Sequence, residues 1–162
     1  MRTGLDSLIS RVDADPNQAN LAVFTTALRQ NGCPQAVTEQ IADRLRSSDE
    51  VSWAHLDLDF SDVHFDGVSV FERVHCLGRV DFTNAVFGGR AIFVDAFFAA
   101  AVSLRGARFL GPAVLIGAQF PVGVDLENAQ FLGPRIGPWG KGRPPRVWVS
   151  RSEQPSSLEE IP

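Results

Sequence analysis

The chain of 162 residues lacks the features that assign a protein to several common classes. It has two cysteines, Cys33 and Cys76, which are too few for a disulfide framework, so a reducing compartment is expected. No apolar run reaches the roughly 20 residues that a membrane-spanning helix needs. A formal net charge of −4 argues against a general nucleic-acid-binding protein.

Further absences concern location and chemistry. The first residues lack the basic-then-apolar pattern of a signal peptide, so we expect a cytoplasmic protein with no membrane association. No glycine-rich phosphate loop lies between a strand and a helix, and no cofactor is predicted. Asp57 and Asp59 are close in sequence, but no pocket is predicted around them that would favour acid–base catalysis. We therefore predict that the protein is not an enzyme.

A repeat organises the middle of the sequence. Large apolar residues recur there at alternating steps of five and six residues, with one cysteine among them. These core positions are Phe60, Phe65, Phe71, Cys76, Phe82, Phe87, Phe93, Phe98, Leu104, Phe109, Leu115, Phe120, Leu126 and Phe131. Two residues before each of them stands a second apolar residue, except at Ser69. Self-similarity at a fixed period is the signature of a repeat architecture.

Short strands explain this repeat better than a long helix does. Steps of five and six residues turn a helix by roughly 500° and 600°, which would scatter the large side chains around its axis. Pro112 and Pro121 also fall within the array, and each would cost a helix about 3 kcal/mol. In an extended segment, by contrast, residues i and i−2 share one side. Glycine, asparagine or aspartate two residues after many core positions suits turns with positive φ.

The five-residue unit resembles that of the pentapeptide-repeat proteins. Ala or Val precedes a central Phe or Leu by two residues, and Gly or Asn follows it by two, as in 85–89 and 107–111. The resemblance covers Leu58 to Gly133 and implies a mostly β fold, a right-handed quadrilateral β-helix with four units per coil. Alternating steps of five and six make each coil about 22 residues long, which gives about 3.5 coils.

Residues 1–50 have a helical period instead. Apolar residues follow the i, i+3, i+4, i+7 rule from Leu5, and two more amphipathic segments follow Asp15-Pro16 and Pro34. We predict three short helices that form either a cap over the open first coil or a separate module that binds a partner. The β-helix is assigned to residues 51–134.

Residues 135–162 are rich in proline, glycine, serine and arginine, a composition typical of a loop or tail. Trp139 and Trp148 are large apolar residues within this polar stretch. They either close the carboxyl end of the coil or form a self-association site. Val147, Trp148 and Val149 are predicted to add a short strand.

Outward residues sort into two opposite faces of unlike character. The acidic face carries Asp59, Asp62, Asp81, Asp125 and Glu127. The apolar face carries Val70, Ile92, Val94, Val114 and Ile116. Because exposed apolar patches usually mark an interface, we predict that the apolar face is covered. The cover is the amino-terminal helices, the carboxyl tail or a second copy in a homodimer.

Two functions fit these features. The first is a non-catalytic scaffold that binds a protein partner through the faces of its β-helix. The family resemblance implies the second, a DNA mimic that binds DNA gyrase, a bacterial type II topoisomerase, and protects it from quinolones or peptide toxins. Such mimics are strongly acidic rods, whereas this repeat region has nine acidic residues against five arginines. A metal site has support only from His55, His64 and His75, of which His64 and His75 fall on opposite faces, so none is predicted.

Overall fold

The computed structural model describes residues 2–47, 52–138 and 146–149. Three α-helices come first, α1 (Arg2–Ala14), α2 (Gln18–Asn31) and α3 (Gln35–Arg46). The strands that follow are β1 (Leu58–Asp59), β2 (His64–Phe65), β3 (Ser69–Val70), β4 (His75–Cys76), β5 (Val80–Asp81), β6 (Val86–Phe87), β7 (Ala91–Ile92), β8 (Phe97–Phe98), β9 (Val102–Ser103), β10 (Arg108–Phe109), β11 (Ala113–Val114), β12 (Val124–Asp125), β13 (Gln130–Phe131), β14 (Arg135–Ile136) and β15 (Val147–Trp148). Over the described residues, the helices are too short and too polar to cross a membrane.

The strands stack into the four sides of a β-helix of about 4 coils. Parallel neighbours pair residues 22 positions apart, as Leu58 pairs with Val80 and Phe65 with Phe87. This register confirms the coil length predicted from the alternating steps. The fold is thus a pentapeptide-repeat type of β-solenoid with three helices at its amino-terminal end.

Each side of the β-helix is one sheet. The acidic face contains β1, β5, β9 and β12, with β15 added antiparallel at its edge. The apolar face contains β3, β7, β11 and β14. We call the other two sides the His64 face, with β2, β6, β10 and β13, and the His75 face, with β4 and β8.

The array continues beyond the end predicted at residue 134. Strand β14 pairs in parallel with β11, so that Ile136 lies beside Val114 on the apolar face. The sequence pattern stops earlier because a glycine, Gly137, stands where the next large core residue was expected. Pairing needs only backbone groups, and Leu115 donates its N–H to the carbonyl of Ile136 at 2.7 Å. The coil therefore continues without its core residue.

Stacked phenylalanines fill the core. Among the core positions, all but Phe131 are buried, and Phe131 in the last coil is partly buried. On the His64 face, Phe65, Phe87, Phe109 and Phe131 stack with ring centroids 4.9, 4.7 and 4.7 Å apart. These distances match the roughly 4.8 Å spacing of paired strands, because identical side chains in register lie directly above one another. Register and core packing support each other.

One buried hydroxyl interrupts this apolar interior. Ser69 is fully buried, and its Oγ has no hydrogen-bond partner among the described residues. Its register partners are Ala91 and Ala113, so the serine occupies an alanine-sized site. An unsatisfied buried hydroxyl costs about 1–3 kcal/mol. Ser69, the exception in the apolar series that precedes the core positions by two residues, thus carries a free-energy penalty.

The corners of the coil use two different turn geometries. Asp62, Asn84 and Asn128 have φ of 62°, 59° and 62°, as predicted for positive-φ turns. Glycine two residues after a core position was also predicted to have positive φ. At Gly89, which lies at another corner, this prediction is wrong, because its φ is not positive. A Cβ at Gly89 would lie 2.5 Å from the carbonyl oxygen of Gly67 in the preceding coil. Glycine is required there because adjacent coils approach too closely for any side chain.

The amino-terminal helices cap the first coil. Their apolar residues and those of the β-helix form one continuous buried cluster. Helix α2 begins at Gln18 because the side chain of Asn17, rather than Asp15, accepts the N–H of Asn20 at 2.8 Å. Between α2 and α3, Cys33 pairs with Phe65 as an extra strand position on the His64 face. Of the two interpretations of residues 1–50, the structure has the cap.

Polar side chains from the helices satisfy the open backbone edge of the first coil. Arg29 donates to the carbonyl oxygens of Asp59 and Ser61 at 3.2 and 3.3 Å. On the opposite side, Arg46 donates to those of Glu72 and Val70 at 2.6 and 3.5 Å. In the next coil the corresponding carbonyls accept backbone N–H groups. The arginines thus replace a missing coil.

A partly buried polar cluster attaches α1 and α3 to residue 53. Trp53 is fully buried and donates its indole N–H to Asp13 at 2.9 Å. Arg44 donates to the same carboxylate at 2.6 and 2.8 Å, and its guanidinium lies over the Trp53 ring at 5.6 Å. Charge-assisted hydrogen bonds and a cation–π contact therefore fix the cap on the coil.

The carboxyl-terminal residues close one side of the last coil. Trp148 pairs with Val124, and its ring meets Phe120 edge-on at 5.8 Å between centroids. The strand predicted at Val147, Trp148 and Val149 is present as Val147–Trp148, and the Trp148 ring packs on Phe120 at the closed side of the coil. Trp139 lies outside the described residues.

The first prediction tests the inward and outward assignment. Phe98→Ala removes a buried ring that stacks on Phe120 at 5.1 Å, and it should lower the free energy of unfolding by about 3–5 kcal/mol. Val86→Ala, at an outward position, should change it by about 0.5 kcal/mol. Thermal or denaturant melts measure both. Equal destabilisation would contradict the assignment.

The second prediction concerns the cap. Arg46→Met keeps much of the aliphatic length but removes the donors to the first coil, so unfolding should become easier by about 1.5–3 kcal/mol. Arg108→Met is the control, because Arg108 is exposed on the His64 face and contacts no cap residue through a described hydrogen bond. If the two variants unfolded with the same free energy, the hydrogen bonds from Arg46 to the first coil would contribute nothing to stability.

Candidate interaction faces

Chemistry-bearing side chains do not converge in the part of the chain that the structure describes. No group of three His, Cys, Asp or Glu side chains is placed there to hold a metal. His55, His64 and His75 are all exposed. The ring of His75 packs against Phe97 at 5.8 Å, on the side opposite His64.

Both cysteines are buried and unreactive. Burial raises the pKa of the Cys33 thiol to about 12, and the carboxylate of Asp66 adds to the shift, while a hydrogen bond with Thr38 opposes it. Burial alone raises the pKa of the Cys76 thiol to about 12. Because the thiolate is the nucleophile, neither residue can serve as one near neutral pH.

The carboxylates of the acidic face are held in fixed positions by their own turns. The side chains of Asp59, Asp81 and Asp125 accept the backbone N–H two residues ahead at 3.1, 2.9 and 3.0 Å. This is the Asx-turn arrangement, which recurs at equivalent positions of the coils. The sequence predicted the row of carboxylates but not the bonds that orient it.

Arginines neutralise part of this face. Arg29 lies 3.5 Å from Asp59, and Arg105 lies 3.1 Å from Asp125 and 2.9 Å from Glu127. Arg146 lies 3.6 Å from Glu127. Within the described residues, Asp62 and Asp81 have no ion-pair partner. Arg29 comes from α2 and Arg146 from the carboxyl-terminal segment, so the repeat period gave no signal for either.

A groove of about 530 Å³ follows the acidic face from the cap toward the last coil. Apolar residues of the strands and carboxylates both line it. The charged lining residues are Asp57, Asp59, Asp81, Asp125 and Arg79. At the cap end, the Gln18 amide exchanges two hydrogen bonds with the backbone of Asp57 at 2.7 and 3.0 Å. The groove is therefore acidic and has a rigid end.

The apolar face is only partly covered by the described chain. Val70, Ile92, Val94 and Val114 are partly buried, and Ile116 is 53 % exposed. Helix α3 packs beside β3, at the amino-terminal end of this face. The described carboxyl-terminal strand lies on the opposite face. The helices thus cover only the Val70 end, and the wider cover predicted from the sequence is not supplied by them.

The third prediction tests thiol burial. Near pH 8, a thiol with a pKa of about 12 is ionised in roughly one molecule in ten thousand, so neither cysteine should react with Ellman's reagent in the native protein. Both should react after denaturation in guanidinium, where their pKa returns to about 8.5. Glutathione measured in parallel gives the rate of a free thiol. A native cysteine that reacted at that rate would contradict the buried placement.

Comparison with known proteins agrees with this geometry. The family model described as pentapeptide repeats (9 copies) matches residues 60–108. No curated protein and no solved structure matches the chain. The matched residues run from just after β1 to the start of β10, so they lie in the first coils of the β-helix. The chain is therefore similar to pentapeptide repeats over residues 60–108, and the same 22-residue register continues through the later coils of its β-helix.

Proposed function

We propose that this protein is a non-catalytic scaffold that binds a protein partner through the acidic face of its β-helix. The groove on that face carries the proposal. It is a described surface in which several carboxylates line one groove. Fixed carboxylates in a rigid groove suit the basic segment of a partner protein.

The groove is organised before any partner binds. Successive coils are joined by backbone hydrogen bonds, and the carboxylates of Asp81 and Asp125 are held by their turns. A rigid binding surface loses little conformational entropy on association, which favours affinity. Asp81, which is partly buried and has no ion pair within the described residues, offers an acceptor to a partner's lysine or arginine.

Charge also limits what this face can bind. Arg29, Arg105 and Arg146 lie among its carboxylates, so its negative potential is interrupted. Electrostatic complementarity steers encounter and selects partners more than it sets affinity. A short basic segment that contacts the Asp57–Asp59–Asp81 part of the groove fits better than a long cationic surface.

The DNA mimic that binds gyrase is the second candidate. The observation in its favour is that Asp59, Asp81 and Asp125 stand at the same position of three coils, with Ser103 at this position in the remaining coil. The interleaved arginines reduce the similarity to an unbroken row of phosphates. We therefore propose binding to a basic segment first and gyrase mimicry second. The variants described below test both functions.

The fourth prediction compares two doubly substituted proteins. Asp81→Asn/Asp125→Asn removes two charges from the groove but keeps an oxygen to accept each turn N–H, so the melt should hardly change. Asp66→Asn/Asp95→Asn removes two exposed charges elsewhere. In pull-downs from a lysate of the source cells, the first variant should lose a partner that the control retains. Raising salt from about 0.05 to 0.5 M should weaken the unmutated complex.

The unmutated protein and the two double variants are also tested in a supercoiling assay with purified gyrase. A DNA mimic should inhibit supercoiling by purified gyrase at micromolar concentration, and the groove variant should inhibit less. No effect of the unmutated protein would exclude the mimic and leave the scaffold intact. If both double variants captured the same proteins as the unmutated chain, the acidic face would not be the binding surface.

A further inference from the structure

We propose that the apolar face joins two copies of this chain in a twofold dimer, with Val114 at the axis. This interface lies opposite the acidic groove, so the proposal does not depend on the proposed function. It rests on three observations: how the apolar surface is distributed along the coils, what the described chain leaves open, and which register a second copy can adopt.

The apolar surface grows toward the carboxyl end of the β-helix. Three positions along the apolar face and its edge with the His64 face show this change. Asp66 and Gly88 are followed in the later coils by Leu110 and Leu132, Arg90 is followed by Pro112 and Pro134, and Glu72 is followed by Val94 and Ile116. Leu110, Leu132, Ile116 and Ile136 are 41, 60, 53 and 45 % exposed. Solvated surfaces seldom gather large apolar side chains in this way.

The described residues of the chain leave this surface open. Arg46 of α3 reaches only the first strand of the face and the residue after its corner, through the carbonyls of Val70 and Glu72. At the other end, Val149 lies on the acidic face, where a Cβ added at Gly123 would be 3.3 Å from it. Outside the described residues, the carboxyl-terminal sequence has Trp139, Leu158 and Ile161 as large apolar residues, among glycines, prolines, serines and charged residues. Three such residues, two of them far from the first in sequence, match a face that extends over three coils less well than an identical face does.

A second copy supplies the matching surface. A twofold interface pairs the same patch with itself, so each apolar row meets an apolar row. Two sheets that pack face to face lie roughly 10 Å apart, so the outward side chains of both copies can meet. The row nearest the axis holds only β-branched residues, which are Ile92, Val114 and Ile136, so side chains of similar shape meet across it. No formal charge from this row opposes the contact.

Only certain registers keep the cap out of the interface. With the axis through Val114, Ile92 lies opposite Ile136 of the second copy, and three coils overlap. Glu72 and α3 then fall beyond the last coil of that copy. Moving the axis toward the amino terminus would bring Glu72 and the cap against it. The register through Val114 therefore keeps Glu72 and the cap outside the interface, and the exposed Arg90 lies at its edge.

The area of the proposed interface sets the expected affinity of the dimer. The overlapping rows contribute a few hundred Å² per copy, less than the about 800 Å² per partner of a standard interface. We therefore expect a concentration-dependent dimer with a dissociation constant in the micromolar range. Sedimentation of the full chain from about 1 to 100 μM should show the mass rising from monomer to dimer.

The fifth prediction uses two valines in equivalent outward positions. Val114→Lys places two charges at the axis and should keep the protein monomeric throughout that range. Val86→Lys, at a partly buried valine on the His64 face, should leave dimerisation unchanged. A monomeric unmutated chain would overturn the proposal, as would a Val114→Lys variant that still dimerises. A lower melting temperature for Val114→Lys with no change of mass would overturn it too, because that result would show an internal cover instead.

Cross-linking tests the register. Because Cys33 and Cys76 are buried, a new exposed cysteine should be the reactive thiol. Val114→Cys should be joined to its copy by a bismaleimide that spans the roughly 10 Å between packed sheets. Val86→Cys should not. Efficient joining of Val86→Cys, or none of Val114→Cys in a solution that is dimeric by sedimentation, would exclude this face as the interface.

Discussion

Backbone hydrogen bonding between coils 22 residues apart is the constraint on which the rest of the structure depends. It places identical positions above one another, so the phenylalanines of the His64 face stack at 4.7–4.9 Å. It also brings the backbone at Gly89 and Gly67 too close together for a side chain at residue 89. The same register repeats each outward residue along one side, which is why a charge or an apolar residue becomes a row. Core, corners and faces are therefore consequences of one periodicity.

A coil held together in this way has an open edge at each end, and the ends show what the repeat cannot supply. At the first coil, Arg29 and Arg46 donate to carbonyls on opposite sides, and Gln18 completes the backbone at Asp57. At the last, β15 pairs with β12 and Trp148 covers Phe120. Unpaired strand edges invite association with other chains. The non-repetitive residues thus cover the first coil and the acidic side of the last one.

The sequence predicted the features that follow from the repeat period. It missed the contacts that residues outside the repeat make with it. Coil length, core positions and the two unlike faces follow from spacing, because inward and outward positions alternate in a strand. The ion pair of Arg29 with Asp59 joins residues from different elements, so no local pattern encodes it. Strand β14 was missed for the opposite reason: its backbone pairs although Gly137 removes the core residue that marked earlier units. Backbone pairing persists where the side-chain pattern has ended.

The two faces also limit how the molecule can assemble. Because the acidic and apolar faces are opposite sides of one rigid coil, a dimer joined through the apolar faces would turn its two acidic grooves outward, in opposite directions. A partner with one basic segment would then bind at two independent sites. A partner with two such segments could not reach both grooves unless its linker passed around the dimer, and only then would it gain avidity. Such a dimer would therefore link two partner molecules rather than hold one more tightly.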